Sequence, residues 1–284
     1  MASGMTPIAA LRSLALLSVV FTSSCVSSRG AALRAFERGD APAARAALAD
    51  EAQRGEPEAQ YLYALSFDGG SGADPAEAAH WYRLAAEQGH AAAQSNLGLL
   101  CYQGRGVERS YAEAARWFSL AEAQGFAPAR TNLGVCHLYG HGVEQDHAQA
   151  RELLTLAAEA GDARAQGVLG SIHYEGFGVE VDLAEAARWY RLAAAQGLGT
   201  AQHRLGLMLV HGQAGSVDES AGVRWLTRAA EQGLAAAQYD LALLYLQGRG
   251  VSVDRSTGVA WLERSAAQGF APAQHKLALA HAGA

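Results

Sequence analysis

Cysteine is scarce in this chain, with 3 in 284 residues. That is too few for a disulfide framework, so order must come from a packed apolar core. Proline is nearly as rare, 6 copies against 32 of glycine, which leaves glycine as the main punctuation of the chain. Positive charge is also limited: 22 Lys and Arg face 28 Asp and Glu, for a net charge of −6. A nucleic-acid partner needs a basic stripe to displace counterions, and this balance disfavours one. No apolar run is long enough to span a bilayer; the stretch from Leu14 to Phe21 is too short. Catalytic signatures are missing as well. The chain has no Ser-x-x-Lys, no nucleophile elbow and no spaced metal triad, which points away from an enzyme. What it does have is a hydrophobic content of 50%, enough for one large domain or two small ones.

The N-terminus reads as export machinery rather than fold. Arg12 supplies a thin positive region ahead of the apolar stretch, and Thr22-Ser23-Ser24-Cys25 follows. This resembles a bacterial lipoprotein cleavage site, in which Cys25 becomes the acylated first residue. The pattern prefers Leu three places before the Cys, where Thr22 stands here. The expectation is a signal peptide over 1–24, a short linker over 25–30, and a periplasmic or outer-membrane-anchored lipoprotein. Ordinary signal cleavage nearby, with secretion, is the alternative.

The 5 tryptophans, Trp81, Trp117, Trp189, Trp225 and Trp261, are separated by 36 residues or twice 36, and Leu153 fills the skipped place. Gly89, Gly125, Gly161, Gly197, Gly233 and Gly269 keep the same step. A fixed period in this range is the signature of a solenoid whose units cannot bury their apolar faces alone. The period sets six repeats (56–89, 90–125, 126–161, 162–197, 198–233 and 234–269), an N-terminal capping half-repeat over 31–55 and a C-terminal capping helix over 270–284.

Each repeat reads as two helices. In the first, Ala93, Leu97 and Leu100 share a face, and beside Leu97 stands Gly98, a position that only Gly or Ala occupies in every repeat. This predicts a close backbone approach there. A Gly-x-Gly-Val turn follows in four repeats, beginning at Gly104, Gly140, Gly176 and Gly248. The second helix opens at Asp40, Asp74, Ser110, Asp146, Asp182, Asp218 and Asp254, where a short side-chain oxygen caps the first turn. Glu77, Glu113, Gln149 and Glu185 three residues on predict capping boxes. Trp117 and its equivalents read as core. Cys101 and Cys136 read as buried free thiols, with a bridge between neighbouring helices as the alternative.

The pattern Ala-x-x-x-Leu-Gly, Gly-x-Gly-Val, Ala-x-x-Trp-Tyr-x-x-Ala-x-x-x-Gly resembles the Sel-1-like repeat, a relative of the tetratricopeptide repeat. It is most complete from Ala165 to Gly197, with Leu169, Gly170, Gly176, Gly178, Val179, Ala186, Trp189, Tyr190 and Ala193 in place. The departures are a first repeat two residues short around Gly69 to Gly72, Leu153 for Trp, and Gln213-Ala214-Gly215 for the fifth turn. The resemblance implies an all-α, right-handed α/α solenoid of antiparallel helix pairs. It also implies a protein-binding scaffold or adaptor of the cell envelope, with partners along the concave face. Neither cofactor nor nucleic acid is expected, and membrane association only through a lipid at Cys25. Some cysteine-rich relatives have been described as penicillin-binding or β-lactamase proteins. That alternative asks for a disulfide in nearly every repeat, where this solenoid has only Cys101 and Cys136. A regulator of envelope signalling is a subclass of the scaffold reading.

Positions that vary between repeats are free to carry recognition. On the first helices one such stripe runs through Asn96 and Gln103, Asn132 and Tyr139, Arg164 and Glu175, Arg204 and His211, Asp240 and Gln247, then Lys276. It is the expected partner-binding surface. A second column, Phe67, Cys101, His137, His173, Leu209, Tyr245 and His281, brings imidazoles near His141 and Cys136. Imidazole and thiolate suit zinc or copper, but packing within the stack is the reading adopted, and no metal is expected.

Overall fold

The computed structural model describes residues 25–69 and 72–282. The expected leader over 1–24 lies outside the described residues, as does the side chain of Cys25. All regular structure among the described residues is helical. A first compact unit, extending to Asp146, holds α1 (Cys25–Glu37), α2 (Ala41–Gln53), α3 (Pro57–Leu65), α4 (Pro75–Glu87), α5 (Ala91–Gln103), α6 (Tyr111–Glu122) and α7 (Ala127–Tyr139). A second unit, from His147, holds α8 (His147–Glu159), α9 (Ala163–Glu175), α10 (Leu183–Ala195), α11 (Gly199–Val210), α12 (Glu219–Glu231), α13 (Ala235–Gln247), α14 (Arg255–Ala267) and α15 (Ala271–Ala282). The fold is an α/α solenoid of helix pairs: α3, α5, α7, α9, α11 and α13 are the first helices of the six repeats. Segment 25–30, expected as a linker, instead forms the opening turns of α1. Ala32, Ala35 and Phe36 of that helix are buried, which gives the chain a reason to be helical there.

Glycine ends the first helices as their spacing requires. Gly104, Gly140, Gly176 and Gly248 take φ between 68° and 77°, a left-handed conformation that a Cβ disfavours. In the fifth repeat Ala214 replaces the second turn glycine; the first positive φ stays at Gly212 and the second moves one place on, to Gly215.

The second helices open on the expected caps. Asp40, Asp74, Ser110, Asp182, Asp218 and Asp254 each accept from a backbone N–H of the first turn. In three of the four expected capping boxes the backbone N–H of the cap has another partner. The N–H of Asp74 donates to the carbonyl of Phe67, that of Ser110 to Cys101, and that of Asp182 to His173. The glutamates are therefore free for other work. Glu77 accepts from Trp81 Nε1 at 3.2 Å, Glu113 takes the Cys101 thiol at 3.6 Å, and Glu185 pairs with Arg188.

The core differs in one respect from its sequence reading. Trp117 and Trp189 are buried as expected, but Trp81, Trp225 and Trp261 are only half-buried, and Tyr82, Phe118 and Tyr190, each one residue after a tryptophan, are among the largest fully buried side chains. The small-residue column is crowded first by side chains and next by the neighbouring backbone expected there, with a Cβ at Gly98 3.2 Å from the Ala114 carbonyl oxygen and one at Gly206 3.1 Å from that of Gly222. A Cβ at Gly170 would stand 2.6 Å from the Tyr190 ring, and one at Gly98 would stand 2.7 Å from Phe118.

A glutamine clasp, unforeseen from the sequence, ties three consecutive helices together. Gln202, buried on α11, donates to the carbonyl of Ala194 at the end of α10 (3.1 Å) and accepts from Gln232 at the end of α12 (2.8 Å). The same pair of bonds recurs at Gln60, Gln94, Gln166 and Gln238. In the third repeat Arg130 holds this place and bonds Glu122 at 3.2 Å instead.

The protein-binding face and the inter-repeat arms

The face expected to bind partners is only partly a surface. Gln103, Glu175, Arg204, His211, Gln247 and Lys276 are exposed, and the Tyr139 ring is 49% exposed. Asn132 is buried at 8% exposure, and Asn96 is half-buried. Both asparagines are thus withdrawn from the surface. Arg164 is exposed but stands one helical turn out of register. The residue 36 places after Asn132 and before Arg204 is Val168. His211 lies just past the end of α11 as its C-terminal cap.

Two charged residues of this face, Arg204 and Asp240, are already engaged. Arg204 sits over the Tyr174 ring at 5.7 Å, and Asp240 meets His203 Nε2 at 2.6 Å between successive first helices. In the first unit His90 caps α5. Its Nδ1 accepts from the Ala93 N–H at 3.1 Å, which leaves Nε2 as the donor to Glu58 at 2.9 Å. That hydrogen bond holds the Glu58 carboxyl below the usual range. Burial pushes Asp68 upward, against the opposing pull of Arg105 at 2.9 Å and of the Tyr82 hydroxyl, which donates to it.

Cys101 and Cys136 are free and buried, and burial pushes both thiols up to about 11. His141, once a metal candidate, is stacked on Tyr111 at 4.4 Å and hydrogen-bonded to Tyr102 at 2.7 Å. No group of three His, Cys, Asp or Glu placed to hold a metal occurs among the described residues.

The Gly-x-Gly turns do more than reverse the chain. The residue between the glycines is an arm reaching back to the preceding repeat. Arg105 reaches Asp68, His141 lies on Tyr102 and Tyr111, and Phe177 meets His147 edge-on at 6.2 Å. Gln213 accepts from Tyr174, and Arg249 donates to Glu219 at 2.7 Å and to the Val210 carbonyl at 3.2 Å. The second glycine of the turn permits this approach. A Cβ at Gly106 would stand 2.1 Å from the carbonyl oxygen of Pro75, and one at Gly250 2.5 Å from that of Glu219.

The family model described as Sel1 repeat matches residues 57–90, 91–126, 127–162, 163–198, 199–234 and 235–270, one residue beyond the boundaries set by the tryptophan period. The chain belongs to the Sel1 repeat family. Sel1 repeats generally mediate protein–protein interaction, and proteins built from them are usually non-catalytic scaffolds.

Among solved structures, a Sel1 repeat protein from Oxalobacter formigenes is similar at 27% identity and a TM-score of 0.75, covering 86% of this chain and 97% of that one. A protective antigen present in uropathogenic Escherichia coli strains, displaying an SLR fold, shares 34% identity with a TM-score of 0.64 over 87% of this chain. This chain spans 58% of that antigen's length. An immunity protein from Pseudomonas aeruginosa, at 18% identity and a TM-score of 0.52 over 74% of this chain and 81% of that one, shares the fold alone. No curated protein matches the chain.

Proposed function

We propose that this Sel1 repeat protein is a non-catalytic scaffold of the bacterial cell envelope that holds a protein partner along its first helices. The observation that carries this reading is an exposed position that recurs once per repeat and changes from one repeat to the next, Gln103 and Tyr139 in the first unit and Glu175, His211 and Gln247 in the second, set beside half-buried Leu99, Val135, Leu207 and Leu243. An apolar strip with a changing polar margin suits a partner read one repeat at a time. Of the original stripe, Tyr139 and Arg204 remain the best anchors, since Tyr and Arg are enriched where interfaces are strongest. Asn96 and Asn132 leave the set because they are withdrawn from the surface, and Arg164 leaves it for its register.

An envelope location is supported by the sequence leading into Cys25, and it accords with the similar E. coli protein being a protective antigen. Acylation at Cys25 would anchor the scaffold to a membrane with no spanning segment. The test is photo-crosslinking in living cells from a reactive residue placed at Tyr139 or Gln247, with Glu152 on a second helix as the control. Adducts from the first two sites and none from the third are the expected result. Adducts from Glu152 alone would move the binding face to the second helices.

A further inference from the structure

On the second helices one position, a helical turn before the tryptophan, supplies a carboxylate to the groups around the indole. In the fourth repeat this is Glu185. Arg188 lies over the Trp189 ring at 4.3 Å, and its Nε donates to Glu185 at 2.9 Å. Glu159, on the preceding second helix α8, attracts the same guanidinium from further away. In the first repeat the position is Glu77, which accepts from Trp81 Nε1 at 3.2 Å. The same carboxylate place therefore serves a guanidinium in one repeat and an indole N–H in another.

The fifth repeat keeps the donors and drops the acceptors. Thirty-six residues after Arg188 and Trp189 stand Arg224 and Trp225, but Glu185 becomes Ala221 and Glu159 becomes Ala195. Arg224 is exposed and pairs with no carboxylate among the described residues. Trp225 is half-buried. Its Nε1 has no partner among the described residues and, unlike the buried Nε1 of Trp117, reaches solvent. Arg228, also exposed, stands over the same ring at 4.6 Å. Asp218 feels the charge of Arg224, yet its carboxylate is held at the helix start by the Ala221 N–H and the Ser220 hydroxyl, each at 2.9 Å. Glu231, at the far end of α12, bonds neither guanidinium.

Two exposed cations and a free indole N–H thus share one turn and a half of α12, and the charge that complements them is negative. A planar carboxylate suits these donors, because one oxygen can accept from the indole while the other meets the guanidinium. Trp and Arg are also the residue types that most often anchor protein interfaces.

We propose that Arg224 and Trp225 dock a glutamate or aspartate side chain of a partner protein, in the place that Glu185 holds in the fourth repeat. Arg228 adds a second cation beside the acidic segment. The contact lies on a second helix and does not rest on the first-helix reading.

The indole N–H signals of the full chain, labelled with nitrogen-15 and followed by NMR, read this site directly, and the Trp225 signal is the one lost in Trp225→Phe. Two peptides blocked at both ends, Gly-Glu-Gly-Glu-Gly and Gly-Gln-Gly-Gln-Gly, are titrated at low salt. The Glu peptide is expected to move the Trp225 signal and to bind roughly threefold to fivefold more tightly than the Gln peptide, as one exposed ion pair allows. Added salt should shrink that preference. Ala221→Glu returns the carboxylate to the chain at the third position of a helix, where an acid is favourable. It should move the Trp225 signal without peptide and remove the response to the Glu peptide, with no loss in melting temperature. Arg224→Ala should abolish the preference between the peptides. The proposal is overturned by a Trp225 signal that ignores millimolar Glu peptide, by equal responses to both peptides, or by an Ala221→Glu chain that responds as the parent does. It is equally overturned if inorganic phosphate or phosphatidylglycerol vesicles move the signal and the Glu peptide does not.

Discussion

Replacing Gln202 by Leu tests the glutamine clasp at a single point. Leucine keeps most of the buried volume but can neither donate to the Ala194 carbonyl nor accept from Gln232, so two hydrogen bonds are lost. The Ala194 carbonyl also accepts from the N–H of Gly197, and Gln232 is exposed to water, so neither former partner is left stranded. The loss is then the net worth of the two bonds, about 2 kcal/mol at about 1 kcal/mol each. Gln232→Ala removes only the second bond and should cost about 1 kcal/mol. The double variant should cost about 2 kcal/mol, because the second bond cannot be lost twice. Urea melts followed by circular dichroism give these differences as midpoint shifts at constant slope. Equal losses from the two single variants, full additivity in the double, or a Gln202→Leu midpoint matching the parent would refute the clasp as a source of stability.

Gly170→Ala should destabilise by roughly 1–3 kcal/mol, because its Cβ would press on the Tyr190 ring at 2.6 Å, and adding Tyr190→Leu should recover part of that loss in the same melts. Raising the pH should weaken the fold in the window set by the buried thiols. An unfolded thiol ionises from about 9.0, but folded Cys101 and Cys136 resist until about 11, so their contribution is intact below 9.0 and is lost as pH rises toward 11. The Cys101→Ala, Cys136→Ala double variant should flatten that part of a stability-versus-pH curve, and an unchanged slope would count against it. Tyr139→Ala and Gln247→Ala should shift stability by less than about 0.5 kcal/mol while weakening partner capture. Glu152→Ala makes a better control than Arg116 or Arg188, whose guanidinium groups lie over Trp117 and Trp189 at 5.0 and 4.3 Å. If Cys25 carries an acyl chain, Cys25→Ser should move the protein from the detergent phase to the aqueous phase. Unchanged partitioning would remove the lipoprotein reading.

Caps and turns were readable in the sequence because each depends on one residue type at one backbone position. Gly104 needs a positive φ, and Asp182 needs only a short acceptor before a helix. The clasp was equally periodic, since Gln94, Gln166, Gln202, Gln238 and Gln274 stand at multiples of 36, yet a polar residue suggests solvent until its partner is known. A polar residue that keeps step inside an apolar face was the available signal. Arg164 was misplaced for a different reason. Residues 164 and 168 are one helical turn apart on nearly the same face, so helical spacing admits either and only the strict 36-residue count selects Val168. The burial of Asn132 and the pairing of Asp240 with His203 depend on which side chains adjoin them, and periodicity carries no such information.

The arms and clasps share a reach of one repeat, and this bears on how such a chain can change length. Gln202 touches only the helices immediately before and after it, and Arg249 touches only the repeat it follows. For the clasp, a duplication or deletion of 36 residues within the second unit therefore rejoins the same donor to the same kind of acceptor and leaves no half-made glutamine bond at the seam. An insertion of another length within a helix puts a glutamine opposite the wrong turn and a glycine where its φ is not needed, whereas the two residues that the first repeat lacks around Gly69 to Gly72 leave Gln60 and Gln88 paired at 2.8 Å. Unequal crossing-over between the coding repeats would thus keep the clasps when it is in phase, and the bonds themselves act as the filter.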